Sequence, residues 1–549
     1  MPDNEKPWLK SYPPNIRYHL DYPDKTLGQL LDETVAKMPD TLAMIFEDQT
    51  VTYRQFGDQV NRLVAALADM GIEKGERVGL MGPNCPQWEI AFFALLKLGA
   101  IVVQTNPMYV EREIAYQMND SGATTIIVFE LLYPRVKNIL HETSLQRVIA
   151  FNYLAPVKPT PDVYSFDSLI KYEPIPSDVP INPAEDLAVL QYTGGTTGVS
   201  KGAMLTHRNL ICNTRQNMEF VINLEYGKER VLTLLPVFHV YGMTQCVIFA
   251  VAVAATQIIL PRFETDKVLE AIRKYQPTIF PGAPAMYMAI NSHPRVAEYG
   301  ENIAAIKVCI SGSAALPLEV AQKFAEVTKG EDNLAEGYGL SEASPVTHCN
   351  PLDRPTRAAS IGLPIPDTDS VIMDLETGNR ELPVGERGEL CVRGPQVMKG
   401  YWNNPAETAE TLRDGWLHTG DIARIDEDGY FYIIDRKKDI IIAGGFNIYP
   451  RDIEEVIYEH PKVKDVVVAG VPDTYRGETV KAYIVLQPET EATEQEFIDF
   501  CRIKMAAFKV PRHVEFRDVL PRTIVGKVLR RQLVEEEKAK IQEAAANLE

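Results

Sequence analysis

The first 180 residues alternate between short apolar runs and segments in which apolar residues recur at helical spacing. The segment from Thr26 to Met38 keeps this spacing and predicts a helix. Residues 42–46 and 77–80 are short apolar runs that predict buried strands, and residues 88–98 predict a further helix. This alternation favours an α/β region in which most strands run parallel.

The last hundred residues have a different pattern. Helices are predicted at 452–460 and 494–507, and strands at 463–471, 480–486 and 513–517. Such a mixture predicts a separate α+β module, and the charged tail from Glu535 onward predicts an exposed helix. A chain of 549 residues is too long for one hydrophobic core, so we expect at least two domains, one of them large.

Composition is that of a globular protein, and the net charge argues against a nucleic-acid-binding one. Apolar content of 45% and charged content of 24% are ordinary values for a globular protein. The formal net charge of −19 repels nucleic acid, and because it also repels phosphate ligands, any such ligand must be held by specific local donors. No nucleic-acid partner is therefore expected.

Cysteine and histidine usage indicate the compartment and argue against a zinc site. Seven cysteines without a C-x-x-C spacing favour free thiols in a reducing cytoplasm. The nine histidines contain no closely spaced pair, so a zinc site is not expected.

Two observations concern membranes. The acidic, polar start of the chain does not have the pattern of a signal peptide. The longest apolar run, residues 246–255, is shorter than the ~20 residues that cross a bilayer, and it predicts a buried helix instead. Peripheral contact with a membrane is left open.

The most informative stretch follows an apolar run at 187–190, which predicts a strand, and precedes a segment with helical pattern from Thr206. Residues 192–202 of this stretch read Tyr-Thr-Gly-Gly-Thr-Thr-Gly-Val-Ser-Lys-Gly. Glycine lets the backbone approach a ligand, while hydroxyls, backbone N–H groups and Lys201 suit phosphate oxygens. The order differs from that of a Walker loop, which needs Gly-Lys-Ser/Thr, and this disfavours a kinase or GTPase.

A second segment, residues 336–342, carries residue types that suit a nucleotide. Tyr338 stands between two glycines, so its ring can lie flat against adenine. Ser341 can donate a hydrogen bond to an α-phosphate, and Glu342 offers the hard oxygen that Mg²⁺ prefers. Asp421 ends a Thr-Gly-Asp turn and can accept ribose hydroxyls, although by itself such a turn is common.

Small residues follow two further strand-like runs. Residues 281–284 read Pro-Gly-Ala-Pro and residues 311–315 read Ser-Gly-Ser-Ala-Ala, and such small residues leave room for a ligand at the carboxyl edge of a sheet. Between these segments and the phosphate-binding stretch, residues 234–243 place aromatics around His239. Taken alone, His239 is more often a satisfied core histidine than a ligand-binding one.

Together these segments resemble the adenylate-forming superfamily, which contains acyl-CoA synthetases, adenylation domains of peptide synthetases and beetle luciferases. Residues 191–209 are most similar to bacterial long-chain fatty-acyl-CoA ligases. Five motifs stand in the order that the family shows, and the resemblance spans the chain from about residue 25 to about residue 535. It implies an ATP-dependent ligase for a fatty acid.

The resemblance also implies a fold. We expect a large N-terminal domain of layered α/β sheets with a small β-barrel-like part, and a small, mobile α+β C-terminal domain. The boundary is expected between residues 1–434 and 435–549, with a hinge near Lys438. Rotation about this hinge would bring different residues of the C-terminal domain to one site.

The resemblance implies roles for individual residues. Those expected to bind ATP or AMP are Thr193, Gly194, Gly195, Thr196, Thr197, Gly198, Ser200, Lys201, Ser313, Ala314, Ala315, Glu336, Gly337, Tyr338, Gly339, Ser341, Asp421 and Arg436. Those expected to line the acyl site are His239, Tyr241, Gly282 and Gly312, and those expected to face CoA are Gly444 and Gly445. Lys527 is expected to act in adenylation, Glu342 to hold Mg²⁺, and Lys438 to be the pivot.

Several alternatives stay open. A ligase that loads a carrier protein, a luciferase-like oxygenase, and a ligase for a medium-chain or aromatic acid share the same motifs. The triplet Asp167-Ser168-Leu169 superficially resembles a carrier attachment site, but no glycine precedes it and we interpret it as a turn. Whether the protein is a monomer or a homodimer is also left open.

Overall fold

The computed structural model describes residues 6–174, 179–193, 200–221, 223–329, 334–443, 446–473, 476–523 and 528–546. The chain divides into two compact units, which we describe separately. The first comprises Met1–Asp369 and Val392–Leu417, and the second comprises Ser370–Cys391 and His418–Glu549. The mixed α/β fold with a large first unit and a smaller second unit confirms the predicted fold class.

Among the described residues, the strands are β1 (Leu42–Phe46), β2 (Gln49–Thr52), β3 (Arg77–Met81), β4 (Ile101–Thr105), β5 (Thr125–Phe129), β6 (Arg147–Phe151), β7 (Tyr164–Ser165), β8 (Leu187–Thr193), β9 (Lys201–Thr206), β10 (Arg230–Thr233), β11 (Thr256–Ile259), β12 (Ile279–Gly282), β13 (Val308–Ser311), β14 (Leu334–Gly339), β15 (Val346–Cys349), β16 (Leu363–Pro364), β17 (Asp369–Met373), β18 (Gly388–Arg393), β19 (Leu412–Arg413), β20 (Trp416–Ile425), β21 (Phe431–Arg436), β22 (Ile441–Ala443), β23 (Phe446–Ile448), β24 (Val463–Asp473), β25 (Gly477–Leu486) and β26 (His513–Phe516).

The α-helices of the same residues are α1 (Leu27–Lys37), α2 (Tyr53–Asp69), α3 (Pro86–Lys97), α4 (Glu111–Ser121), α5 (Tyr133–Ile139), α6 (Phe166–Leu169), α7 (His207–Phe220), α8 (Val240–Gly242), α9 (Phe249–Ala252), α10 (Thr265–Tyr275), α11 (Pro284–Asn291), α12 (Gly300–Ala304), α13 (Leu318–Val327), α14 (Pro405–Thr411), α15 (Pro450–Tyr458), α16 (Glu494–Lys504) and α17 (Arg530–Ala546).

One large sheet of the first unit has the order β7-β6-β5-β3-β4-β8-β9 among the described strands. All its pairs are parallel except β8 with β9, which form an antiparallel hairpin. The strand predicted before the phosphate-binding stretch is β8, and the chain returns as β9 before α7 begins. The hairpin therefore presents the ends of this stretch at one edge of the sheet.

The second large sheet has the order β16-β15-β14-β13-β12-β10-β11-β1-β2. The strands from β14 to β1 in this order are parallel, whereas β15 is antiparallel to both β14 and β16, and β2 is antiparallel to β1. Because carboxyl ends of parallel strands meet at one edge, the sheet gathers Gly282, Ser311 and Gly339, the last residues of β12, β13 and β14. These strands lead into three of the segments that the sequence singled out.

Local sequence explains where the helices begin. Thr26 caps α1 through a reciprocal pair of hydrogen bonds with Gln29, and Thr206 caps α7 in the same way with Asn209. The predicted helix at 88–98 is α3, whose residues from Trp88 onward are buried in the core. A helix with apolar residues all round its surface must lie between other elements.

The apolar run at 246–255 was predicted to be a buried helix, and its residues 246–252 are helical and largely buried. A π-helix, Met243–Ile248, continues directly into α9, and β11 follows. Among the residues that the structure describes, no helix is both long enough and apolar enough to cross a membrane.

A third sheet contains β17 to β21, in the order β17-β18-β20-β19 with β21 also paired to β20. A small β-barrel-like part was expected in the large domain; this five-stranded sheet is small, and α14 lies between its strands β18 and β19 in the chain. In the second unit, β20 and β21 are antiparallel, with Asp421 opposite Arg436. This pairing places two predicted nucleotide-binding residues side by side.

The α+β module of the second unit confirms the predicted order of elements. Its sheet has the order β23-β22-β25-β24, with β26 parallel to β25. Helices α15 and α16 pack on the apolar core of this sheet. The predicted domain boundary between residues 434 and 435 and the predicted rotation about Lys438 both stay predictions. The structure shows one conformation, and a rotation is a difference between two.

Candidate functional site

The ends of the predicted phosphate-binding stretch are held firmly. Thr193 and Lys201 pair at the end of the hairpin, and the Ser200 hydroxyl donates to the Thr193 carbonyl over 2.7 Å. The Tyr192 hydroxyl donates to Asp120 Oδ2 over 2.6 Å. The predicted ligands between these ends lie outside the described residues: Gly194, Gly195, Thr196, Thr197 and Gly198.

Lys201 belongs to a cluster of charged and aromatic side chains. Its ammonium group forms an ion pair with Glu407 of α14 and lies 5.6 Å from the centroid of the Tyr401 ring. The Tyr401 hydroxyl donates to Glu342 Oε1 over 2.7 Å. Burial and the negative charge of Glu342 raise the pKa of Tyr401, so the phenol stays protonated as the donor.

Backbone pairing brings this cluster together. The Ala203 and Tyr401 backbones pair in an isolated bridge, and the Trp402 N–H donates to the Gly202 carbonyl over 2.8 Å. The Met398 N–H donates to the Glu342 carbonyl over 2.8 Å. The segment 398–402 thus links β9 to the segment that carries Glu342.

The segment around Tyr338 is the end of β14 and the turn after it. Tyr338 is half-buried and lies opposite His348 of β15, with 6.0 Å between the ring centroids. A Cβ atom at Gly339 would lie 2.2 Å from the Pro345 carbonyl oxygen, so only glycine fits there. Ser341 and Glu342 follow in a short 3₁₀ turn.

The Glu336 side chain is buried and accepts a hydrogen bond from the backbone. It is buried, lies opposite Ser311 of β13, and its Oε1 accepts the Leu316 N–H over 3.2 Å. This bond ties the segment with Ser313, Ala314 and Ala315 to β14. Ser313 has a φ of +72°, and its buried hydroxyl makes no hydrogen bond within the described residues, so it is available to an acceptor from a ligand.

Two glycines at the ends of β12 and β13 make room for tyrosine rings. A Cβ atom at Gly312 would lie 3.0 Å from Tyr241 Cε1, and one at Gly282 would lie 2.8 Å from Tyr287 Cε2. The Tyr241 hydroxyl donates to the Ile310 carbonyl over 3.1 Å. The Gly312 N–H donates to the Gly282 carbonyl over 3.0 Å, so three of the four predicted acyl-site residues, Tyr241, Gly282 and Gly312, form one group.

The fourth predicted acyl-site residue, His239, caps α8. Its Nδ1 accepts the Tyr241 N–H over 3.3 Å. The histidine is half-buried, whereas the residues next to it in the chain are buried. This contact joins His239 to the tyrosine–glycine group.

In the second unit, Asp421 and Arg436 form an ion pair. Arg436 Nε lies 3.2 Å from Asp421 Oδ1, and the carboxylate is largely buried. Lys438 follows in a 3₁₀ turn, and burial together with the positive charge of Arg436 lowers its pKa. Gly444, Gly445 and Lys527 lie outside the described residues, so their roles stay predictions.

A buried cluster of mixed donors lies near Asp421. His418 Nδ1 is 3.2 Å from Cys391 Sγ and 3.3 Å from Glu389 Oε2, and the Lys437 ammonium is 3.2 Å from the same carboxylate oxygen. The sequence did not indicate this group, because its members come from separate strands. The seven cysteines were predicted to be thiols; the structure joins none of them in a disulfide, and all seven are buried.

Comparison with known proteins decides the family. A family model described as AMP-binding enzyme matches residues 31–402, and a second, described as AMP-binding enzyme C-terminal domain, matches residues 452–527. This chain belongs to the AMP-binding enzyme family. The predicted membership of the adenylate-forming superfamily is thereby confirmed.

Curated relatives of this AMP-binding enzyme align over nearly their whole length. A long-chain-fatty-acid–CoA ligase of Bacillus subtilis is 46% identical over 97% of this chain and 98% of its own. One of Escherichia coli O157:H7 is 36% identical over 98% of this chain and 100% of its own. A probable 4-coumarate–CoA ligase of Dictyostelium discoideum is 31% identical over 93% and 95%.

Solved structures of similar proteins share the fold of the AMP-binding enzyme. ATP-bound MatB from Rhodopseudomonas palustris has a TM-score of 0.84 and 29% identity, over 93% of this chain and 99% of its own. The anthranilate CoA ligase AuaEII in complex with anthranoyl-AMP has a TM-score of 0.87 and 28% identity, over 95% and 99%.

The expected magnesium site of the AMP-binding enzyme fits the residues present. Mg²⁺ is commonly held by one or two carboxylates, substrate phosphates and water, which agrees with Glu342 as a single protein ligand. The hydrogen bond from Tyr401 fixes one oxygen of that carboxylate, as an outer partner of a metal ligand does. Tyr401 and Glu407 were missed in the sequence, where the only signal is an aromatic pair after Gly400 in a polar region.

Proposed function

We propose that this enzyme uses ATP to convert a long-chain fatty acid to its acyl-adenylate and then transfers the acyl group to CoA, with release of AMP and pyrophosphate. The observation that carries the proposal is its identity of 36–46%, over nearly the full length, with curated long-chain-fatty-acid–CoA ligases. The cluster of Lys201, Tyr401 and Glu342 supports the proposal, because Lys201 offers a cation for phosphate oxygens and Glu342 offers an oxygen ligand for the Mg²⁺ that accompanies ATP.

In the first step, a carboxylate oxygen of the fatty acid attacks the α-phosphorus of ATP, and the bond to pyrophosphate breaks. The nucleophile is already an anion, so no general base is needed. Negative charge grows on the α-phosphate oxygens, where Lys201, Ser313 and Ser341 can donate. Mg²⁺ held by Glu342 would neutralise phosphate charge, and Lys527 is proposed to approach the same oxygens.

In the second step, the CoA thiol attacks the acyl-adenylate carbonyl and AMP leaves. Two different reactions at one site need different residues around the reacting atoms. We assign this change of lining residues to rotation of the C-terminal domain about Lys438, which withdraws Lys527 and brings Gly444 and Gly445 to the thiol. Asp421 would accept the ribose hydroxyls and Arg436 would contact the ribose and phosphate in the nucleotide site.

The acyl chain is proposed to lie against the group formed by His239, Tyr241, Gly282 and Gly312. The two glycines admit tyrosine rings that a larger residue would exclude, so the wall is apolar and closely packed. Adenine is proposed to stack on Tyr338, beside the backbone of Glu336, Gly337 and Gly339. The remaining nucleotide contacts are assigned to Thr193–Ser200, Ala314 and Ala315.

Seven cysteines outside any disulfide support a cytoplasmic location, in which thiols stay reduced. Peripheral contact with a membrane and assembly as a homodimer are compatible with this location and are measured directly by vesicle sedimentation and by light scattering. The partners proposed are small molecules only: fatty acid, ATP and CoA.

A panel of acids tests the proposal. Purified enzyme is supplied with ATP, Mg²⁺, CoA and fatty acids of increasing chain length or 4-coumarate, and release of AMP is measured. We expect the highest kcat/KM with long chains, dependence on free CoA for product, and no need for oxygen. AMP release without CoA consumption would favour a carrier-loading ligase, and a preference for 4-coumarate would favour the aromatic alternative.

A further inference from the structure

Glu389 contacts both chain segments that carry the Asp421–Arg436 pair. Its Oε1 accepts the Gly420 N–H over 3.1 Å, and its Oε2 lies 3.2 Å from the Lys437 ammonium. Gly420 directly precedes Asp421 on β20, and Lys437 directly follows Arg436 at the end of β21. One buried carboxylate of β18 therefore holds the neighbours of both members of the ion pair.

The bonds around Glu389 define the turn before Asp421. Gly420 has a φ of +71°, a left-handed conformation that glycine adopts without the steric cost that other residues meet. The Thr419 hydroxyl donates to the Leu390 carbonyl over 2.7 Å, and the Asp421 N–H donates to the Thr419 hydroxyl over 3.1 Å. The position of the Asp421 backbone thus depends on contacts with residues 389 and 390.

Glu389 is charged in the folded protein. Burial alone would raise its pKa, but the hydrogen bond from His418 and the positive charge of Lys437 lower it to about 2. A buried anion needs such partners, and loss of its charge would leave the Lys437 ammonium without its counter-ion.

We propose that Glu389 is a positioning residue for the nucleotide: it holds Gly420 and Lys437 so that Asp421 faces Arg436 in the geometry that binds ribose. The inference rests on the proposed function, because the ribose is that of ATP. Glu389 acts through its neighbours and does not itself touch the nucleotide.

Metal binding is an alternative role for Glu389 and two of its neighbours. Glu389, Cys391 and His418 are the kinds of residue that bind a transition metal, and their donor atoms lie within 4.8 Å of one another. The Lys437 ammonium already lies against the carboxylate, which favours hydrogen bonding over metal binding. A variant of Cys391 distinguishes metal binding from a positioning role of Glu389. Cys391 contacts His418, but only a metal site would need its thiol.

The test compares Glu389→Gln with two controls, Cys391→Ser within the cluster and Glu386→Gln at an exposed position of the same unit. The dissociation constant for AMP and the KM for ATP are measured, together with the KM for fatty acid. We expect Glu389→Gln to raise the first two by about tenfold, as for a lost hydrogen bond to a charged group, and to leave the third unchanged. Both controls should match the parent.

A second variant guards against a loss of folding. Lys437→Gln removes the other half of the contact at a half-exposed residue, and it should weaken AMP binding in the same direction. In the double variant the two effects should be less than additive, because both remove one interaction. A Glu389→Gln variant with parental affinity for AMP would overturn the inference, and an equal loss in Cys391→Ser would assign the cluster to a metal.

Failure of the proposed function gives a different result. If the parent binds AMP but releases none from ATP with any fatty acid, the substrate proposal fails while the effect of Glu389 on AMP affinity is still measured. If the parent is active and Glu389→Gln is unchanged, only the positioning role fails.

Discussion

The Tyr401 hydroxyl donates a 2.7 Å hydrogen bond to Glu342, although the two residues are 59 positions apart in the chain. The bond exists because the segment 398–402 pairs with β9 on one side and with the Glu342 backbone on the other. It orients the carboxylate that we assign to Mg²⁺. This relationship gives the first prediction.

Tyr401→Phe should slow acyl-adenylate formation by about tenfold, since it removes a hydrogen bond to a charged group. The Mg²⁺ concentration that gives half-maximal rate should rise, because the freed carboxylate is less well oriented. Pyrophosphate release at varied Mg²⁺ measures both. Tyr12→Phe, which removes a hydroxyl that donates to the Pro364 carbonyl, is the control. An unchanged Mg²⁺ dependence would contradict the assignment.

Glu407→Gln should lower the KM for ATP by about two- to fivefold. The ion pair with Glu407 neutralises Lys201, and a partly exposed pair of this kind contributes up to about 1 kcal/mol. Without the carboxylate, the ammonium attracts phosphate more strongly. Glu410→Gln, at an exposed position of the same helix, should leave the KM unchanged. A higher KM in Glu407→Gln would instead mean that Glu407 orients Lys201.

Lys527→Ala should slow the adenylation half-reaction by ~10² or more, the effect of losing one positioned donor to the transition state. Conversion of supplied acyl-adenylate to thioester should be nearly unaffected, because Lys527 is proposed to be withdrawn in that step. Rapid-quench measurements of each half-reaction test this division. Lys538→Ala, at an exposed position of α17, is the control. Equal losses in both half-reactions would refute it.

Lys438→Pro should block the second half-reaction and spare the first, because proline fixes φ at the proposed pivot. Lys438→Ala keeps the backbone free and should retain both. Thioester formation from supplied acyl-adenylate is the measurement. A proline variant that forms thioester at the parental rate would show that rotation does not occur at this residue.

His207 should make the fold less stable in mild acid. It is buried, and desolvation lowers its pKa to about 4, while the unfolded chain has the ordinary value near 6.5. The unfolded state therefore takes up a proton between pH 6.5 and 4 that the folded state does not, so stability is complete above this window and falls within it. The loss is about 1.4 kcal/mol per pH unit.

The pH dependence of His207 is measured as a difference between variants, which cancels other titrating groups. Thermal unfolding of the parent and of His207→Gln is compared from pH 7.5 to 5. The Tm difference should be constant at high pH and should shift in favour of the variant as pH falls below 6.5. The exposed His141→Gln should show no such shift, and a constant difference for His207→Gln over the whole range would disprove the prediction.

Much of the fold was predictable from local pattern. The helix from Thr26, the strand before the phosphate-binding stretch and the order of elements in the C-terminal module are all where the spacing of apolar residues placed them. The motifs also identified the family, because glycine, hydroxyl and acidic residues at fixed positions are set by the ligand they serve.

Other features could not be predicted. Glu407 lies 206 residues from its partner Lys201, and Glu389 lies 48 residues from Lys437, so no local pattern pairs them. Histidine spacing argued against a zinc site, and that stays a prediction; the spacing could not show that His418 lies beside Glu389 and Cys391, because strand pairing between β18 and β20 supplies these neighbours.

The sequence by itself determined the elements, the order of the motifs and the family, because helix caps, apolar spacing and glycine-rich turns act over a few residues. Only the tertiary structure decided which charges neutralise one another and which carboxylates are held by hydrogen bonds. The physical reason is that burial and ion pairing depend on distance in space, which the parallel sheets set by bringing distant segments to a common edge.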